Sequence, residues 1–164
     1  SYIYNKAGQI IKKIKKGSSG ESIYIFNYSY DLNSNLIKEE YLGLRKVLTN
    51  FTYNTSNQLI KKEVTSNDLL SHKTEYKYDN NNDLTQEIKY NARDIVEEQL
   101  RYFYLEKGKL KSIKKFNRTN QLVRSWTYSY NDKWNLDTIK IYDGQESTPL
   151  YMSQYLYKFH VVKK

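Results

Sequence analysis

Cysteine is absent from the 164 residues, which excludes disulfides, thiolate metal ligation and cysteine nucleophiles. Proline and methionine occur once each, and the two histidines, His72 and His160, stand far apart without a metal-ligand spacing. No apolar run approaches ~18 residues and mean hydropathy is −0.86, so no membrane-spanning helix is encoded. Neither a secretory nor a transit signal is visible at Ser1. Phenylalanine (5) and tryptophan (2) are sparse, yet tyrosine occurs 18 times. That aromatic content argues against disorder in an otherwise polar chain. Lysine and arginine number 27 against 18 acidic residues, giving +9.

A repeat accounts for the tyrosine. The pattern aromatic-x-Tyr occurs at Tyr2-Ile3-Tyr4, Tyr28-Ser29-Tyr30, Phe51-Thr52-Tyr53, Tyr76-Lys77-Tyr78, Tyr102-Phe103-Tyr104, Tyr128-Ser129-Tyr130 and Tyr155-Leu156-Tyr157. The steps between second tyrosines are 26, 23, 25, 26, 26 and 27 residues, a register too constant for chance. Six residues after each second tyrosine but the last stands an aliphatic: Ile10, Leu36, Leu59, Leu84, Leu110 and Leu136.

Between tyrosine and aliphatic the chain reads as a tight turn. Asn5, Asp31, Asn54, Asp79 and Asn131 suit the first turn position, where the side chain accepts from backbone amides; Leu105 does not. Three residues on, Gly8, Asn57, Asn82 and Gly108 tolerate positive φ. Ser34 and Trp134 suit that slot poorly, so their loops are expected to depart from the pattern. A type I turn with a left-handed residue and a bulge would set each tyrosine opposite its aliphatic. Leu36-Ile37 and Leu59-Ile60 break period two and fit such bulges.

Looser turns fall near 16–20, 42–44, 66–68, 91–94, 117–120 and 143–149, so each unit of about 25 residues holds two strands. The expected fold is all-β: one domain spanning 1–164, with units starting near 2, 28, 51, 76, 102 and 128 and a closing strand at 155–162. An antiparallel meander of about 12–13 strands, spaced ~4.8 Å, would be ~60 Å wide if flat, so a rolled sheet or a closed barrel is expected. The residues between the paired aromatics (Ile3, Ser29, Thr52, Lys77, Phe103, Ser129, Leu156) are too polar for a lipid-facing band.

The motif Tyr-Asp/Asn-x-x-Gly/Asn-x-Leu, clearest at Tyr30-Asp31 to Leu36, Tyr78-Asp79 to Leu84 and Tyr4-Asn5 to Ile10, resembles the YD (tyrosine–aspartate) or Rhs repeat. The resemblance covers residues 1–157. It implies β-hairpins that build large sheets or shells in bacterial surface proteins, toxins and adhesion proteins, with no catalytic residue in the repeat. An extracellular, cell-surface or periplasmic setting follows from it. Because Tyr2 lies inside the first motif, either a leader has been removed or the chain is a piece of a longer array.

Chemistry-bearing constellations are few. Asp79-Asn80-Asn81-Asn82-Asp83 has the opening spacing of a calcium loop, but Leu84 stands at the required glycine and Tyr90 at the required glutamate. It coincides with a hairpin turn. Glu39-Glu40 and Glu97-Glu98 are adjacent, so on a strand each pair points to opposite faces and forms no dyad. No nucleophile elbow is present, and neither enzyme activity, cofactor nor metal is expected.

The expected role is a non-enzymatic binding or scaffold module whose partner is a glycan or another surface protein. Trp134, in a turn, and Trp126, two residues before an aromatic pair, are the candidate sugar-stacking residues. The alternatives are a shell fragment of a larger Rhs-type toxin or adhesin, and an anion or nucleic-acid binder. The last would use lysines Lys12, Lys13, Lys15, Lys16, Lys61, Lys62, Lys114 and Lys115, aligned as ladders. Interleaved Glu39, Glu40, Glu63 and Glu87 dilute any such stripe, which disfavours nucleic acid.

Overall fold

A computed structural model describes residues 1–156, apart from the Lys107 side chain. The strands are β1 (Tyr2–Tyr4), β2 (Ile10–Lys16), β3 (Ser22–Tyr30), β4 (Leu36–Leu42), β5 (Lys46–Tyr53), β6 (Leu59–Ser66) and β7 (Leu69–Tyr78). They continue as β8 (Leu84–Asn91), β9 (Val96–Tyr104), β10 (Leu110–Asn117), β11 (Leu122–Tyr130), β12 (Leu136–Asp143) and β13 (Tyr151–Gln154). One 3-10 turn, Glu106–Gly108, interrupts the series, and the described residues contain no α-helix. No helix there is long and apolar enough to cross a membrane.

The strands lie in sequence order in one sheet, a meander beginning at β1 and ending at β13 without closing. Of the two expected forms the closed barrel is therefore excluded, and the unclosed meander is consistent with the rolled sheet. The strand β13 precedes Tyr155, and the expected closing strand at 155–162 falls, from Tyr157 on, outside the described residues, as does His160.

Local chemistry sets the register. Tyr4 pairs with Ile10, Tyr30 with Leu36, Tyr53 with Leu59, Tyr104 with Leu110 and Tyr130 with Leu136. In each ladder the next partner skips one residue, so Ile11, Ile37, Ile60, Lys111 and Asp137 are the extra residues of β-bulges. Asn5, Asp31, Asn54, Asp79 and Asn131 each accept, through Oδ1, the amides two and four residues on. The third residue after each is left-handed, and Ser34 (φ 69°) and Trp134 (φ 59°) conform with the others. Their loops therefore keep the common turn, because the capping side chain and the closing backbone bonds outweigh the local penalty.

The opposite ends of the strands use three different turns. Asn91 and Asn117 repeat the capped form, each accepting the amides two and four residues on, with Asp94 and Asn120 left-handed. Asn67 and Asp68 are both left-handed (φ 49° and 64°), the two-residue turn that matches strand twist. The loop 17–21 closes like the capped form, through Gly17 amide to Glu21 carbonyl and Gly20 amide to Gly17 carbonyl bonds with Gly20 left-handed, whereas 43–45 and 144–150 are irregular.

The tyrosine repeat has a second use that joins hairpins to one another. Tyr30 donates its hydroxyl proton to the carbonyl of Ile10 (2.9 Å), and Tyr53 donates to Leu36 (2.9 Å). Tyr104 donates to Leu84 and Tyr130 to Leu110, both at 2.8 Å. The acceptor is always the aliphatic of the preceding unit's motif. Each hydroxyl thus fastens the tight-turn end of one hairpin to that of its predecessor, beside the backbone ladder.

Contacts divide the chain into two compact units, Ser1–Lys77 with Ile88–Glu97, and Tyr78–Glu87 with Glu98–Lys164. In the first, Phe26 stacks on Tyr28 (6.1 Å, 7°) and faces its cross-strand partner Tyr41 at 5.1 Å. In the second, Ile113, Trp126 and Ile141 are successive cross-strand partners, so Trp126 extends an apolar row.

Burial is shallow. Among apolar side chains of the described residues Ile88, 8% exposed, is the one fully enclosed; Thr49, Thr74 and Thr138 are the enclosed polar ones. The accessible surface is 11957 Å², against ~8,600 Å² for a compact protein of this mass. A single layer covers small side chains between larger neighbours, as Thr49 lies between Glu39 and Val64. Tyrosine rings stand above that layer and stay half-buried.

Candidate functional site

Two residues, Leu105 and Trp134, break the repeat within one place of the second compact unit, beside the bulge residue Lys111. Leu105 stands where the sister turns carry Asn or Asp, and its turn closes through a Leu105 amide to Lys109 carbonyl bond (2.7 Å) without a side-chain cap. Trp134 stands in the left-handed slot that Gly, Ser or Asn fills elsewhere. Lys111 is the bulge residue, a position that holds isoleucine in the first three units and aspartate (Asp137) in the last. Together with Tyr128, Tyr130, Asn131 and Asp132 they line a cleft of about 460 Å³.

Each wall of the cleft is held by the fold. The Tyr130 ring is fixed by its hydroxyl bond to the Leu110 carbonyl and carries the Lys109 ammonium 5.7 Å from its centroid. Trp134 lies 6.4 Å from Tyr130, tilted 35°, and keeps 39% of its surface exposed. The Trp134 amide donates to the Asn131 carbonyl (2.8 Å), and Asn131 Oδ1 accepts from Lys133 and Asn135 (3.0 Å each), so the loop is rigid. A bulky residue at positive φ costs roughly 1–2 kcal/mol, and an uncapped turn forgoes about 1 kcal/mol more. Burial pushes the Tyr128 and Tyr130 hydroxyls above their ordinary range, Tyr128 also through Tyr130 and Tyr155, so both are neutral donors at pH 7.

The tryptophans therefore part company: Trp134 belongs to the cleft, and Trp126 belongs to the cross-strand row. The sequence flagged Trp134 and the uncapped Leu105 separately. Lys111 escaped notice, because only the bulge and the neighbouring turn bring it there.

Strand alternation divides the lysines. Lys13 and Lys15 oppose Phe26 and Tyr24 and sit over those rings at 5.5 and 5.7 Å. Lys12 opposes Asn27 on the other face, and Lys16 is exposed at the strand end. Lys62 lies over Phe51 (5.9 Å), whereas Lys61 pairs with Glu63 at 3.0 Å. Lys114 lies over Phe103 (5.4 Å), and Lys115 pairs with Glu98 at 2.5 Å. Adjacent lysines are thus split between two faces, and six of the eight already engage a ring or a carboxylate.

No cluster of three or more metal-ligating side chains occurs among the described residues. Asp79 Oδ1 is occupied by the amides of Asn81 and Asp83, which gives that segment a structural use as a turn.

No family model matches the chain, and no curated protein matches it. Solved structures similar in fold include two of TcdB2-TccC3. TcdB2-TccC3 with Cdc42 matches at a TM-score of 0.58 with 17% identity, over 93% of this chain and 9% of that one. TcdB2-TccC3 without its hypervariable C-terminal region matches at 0.55 with 15% identity, over the same shares. The chain spans about a tenth of the length of the solved chains it resembles.

Proposed function

We propose that this chain is a non-catalytic wall segment of a hairpin-repeat protein of the YD or Rhs type, acting as a scaffold outside the cytoplasm. The observation that carries the proposal is the tyrosine seam bond, repeated with one geometry at four joints between hairpins. A joint used identically at each step can be extended without redesign, which is how repeat proteins build surfaces. The likeness to two much longer TcdB2-TccC3 chains, of which a stretch this long is 9%, supports the same reading. So does the shallow burial, since a wall presents both faces.

The β1 edge tests it. Tyr2, Ile3 and Tyr4 are 54, 45 and 56% exposed, and Tyr4 holds the position from which later tyrosines reach back. A synthetic hairpin of residues 28–42, which contains the acceptor Leu36, should add to β1 by strand pairing. The expected result is slowed hydrogen exchange of the β1 amides, weakened by Tyr4→Phe. Unchanged exchange at saturating peptide would contradict the proposal.

A further inference from the structure

We propose that the cleft between the Leu105 and Trp134 turns is a binding site for an acidic sugar, a hexuronate ring or a glycan ending in one. The proposal goes beyond the wall reading and does not depend on it, since a wall can be bare at this place. It starts from coincidence. The Asn/Asp position and the left-handed position are each broken here, by Leu105 and Trp134, and the bulge position between them carries a lysine, Lys111, where the sister bulges carry isoleucine or aspartate. All three line the same cleft. Trp134 is held at positive φ by the turn around it, and conformational strain kept in place by its surroundings is a mark of functional sites.

The chemistry of the lining selects the ligand class. Trp134 and Tyr130 offer two flat rings, 35° apart, that suit the C–H faces of a pyranose. Asn131 and Asp132 supply amide and carboxylate groups within reach of ring hydroxyls. A cationic ligand is disfavoured, because the Lys109 ammonium already lies over Tyr130 and Lys111 adds a second positive charge. Those two charges outnumber the single carboxylate of the lining, Asp132, and favour a carboxylate on the sugar. The volume of about 460 Å³ is in the range of small-ligand sites. The walls are held before any ligand arrives, by the Tyr130 hydroxyl bond and the capped turn, and so little ordering is needed on binding.

Calorimetric titration of the whole chain with a glucuronate-terminated disaccharide tests this, with the matching neutral glucose disaccharide as the second arm. The expected result is saturable binding of the acidic sugar, with the neutral one weaker by about two- to fivefold. Trp134→Gly should weaken binding by about tenfold or more while the protein folds at least as well, because glycine adopts φ 59° freely. Lys111→Ala should reduce, not abolish, the preference for the acidic sugar, because the Lys109 charge remains. Absence of saturable binding by either sugar, or binding unaffected by Trp134→Gly, overturns the site. Equal affinity for both sugars in the wild type overturns the acidic assignment.

Discussion

Tyrosine in this chain works at its hydroxyl as much as at its ring. Tyr53 shows the arrangement: the ring lies on the strand and the hydroxyl reaches the Leu36 carbonyl at 2.9 Å. Tyr53→Phe keeps the ring and leaves that carbonyl without its donor. It should cost about 1 kcal/mol in urea unfolding, whereas Tyr2→Phe, at an exposed edge position, should cost next to nothing. Asp31 supplies a pH-dependent counterpart. The Asn35 amide, helped by the Asn33 and Asn35 backbone amides, holds its carboxyl below the ordinary range. A lowered folded value means that this stability is present above the unfolded value, near pH 3.8, and is lost as pH falls through the folded value. Asp31→Asn, the residue used by three sister turns, should leave stability at pH 7 unchanged and flatten the acid limb of a stability–pH curve. A curve that superimposes on the wild type would contradict this role.

The hairpin was the most legible element in the sequence, because its determinants lie within seven residues. Tyr30, Asp31, Ser34 and Leu36 specify cap, left-handed slot, bulge and register without outside help. Ser34 and Trp134 show where that reading failed, since propensity at one position yields to the four cap and closing bonds that both turns share. The seams were not legible. The acceptor for each hydroxyl lies 17–20 residues back, and no local pattern names it. The lysine surroundings were legible only in part: the two-residue period already separates Lys61 from Lys62, whereas the rings beneath Lys13, Lys15 and Lys62 come from neighbouring strands. Candidate-site residues were half visible, Trp134 by its misfit and Lys111 not at all. Leu105→Asn should restore the missing cap and raise stability by about 1 kcal/mol, measured by thermal unfolding. A loss would mean that the leucine is required by the fold.

At the scale of the whole molecule, a sheet so thinly covered depends on its joints. Burial holds the Tyr53, Tyr104 and Tyr130 hydroxyls above their ordinary value of 10.0, Tyr53 also through Asp31 and Tyr104 through Asp83 and Asp79. A raised folded value contributes stability below the unfolded value, and that contribution is lost as pH rises through the folded one. Strand signal in circular dichroism should therefore fall together with tyrosinate absorbance above about pH 10. Retention of the full strand signal after these tyrosines ionise would show that the seams do not need their donors. The seam can also be watched directly, by hydrogen exchange of Tyr53→Phe beside the wild type. Loss of protection confined to the tight-turn ends of β4 and β5, with the other seams unchanged, is the result expected of a separable joint. An exchange pattern identical to the wild type, or one loosened evenly along the chain, would contradict the claim that the repeated tyrosine fastens each hairpin to the last.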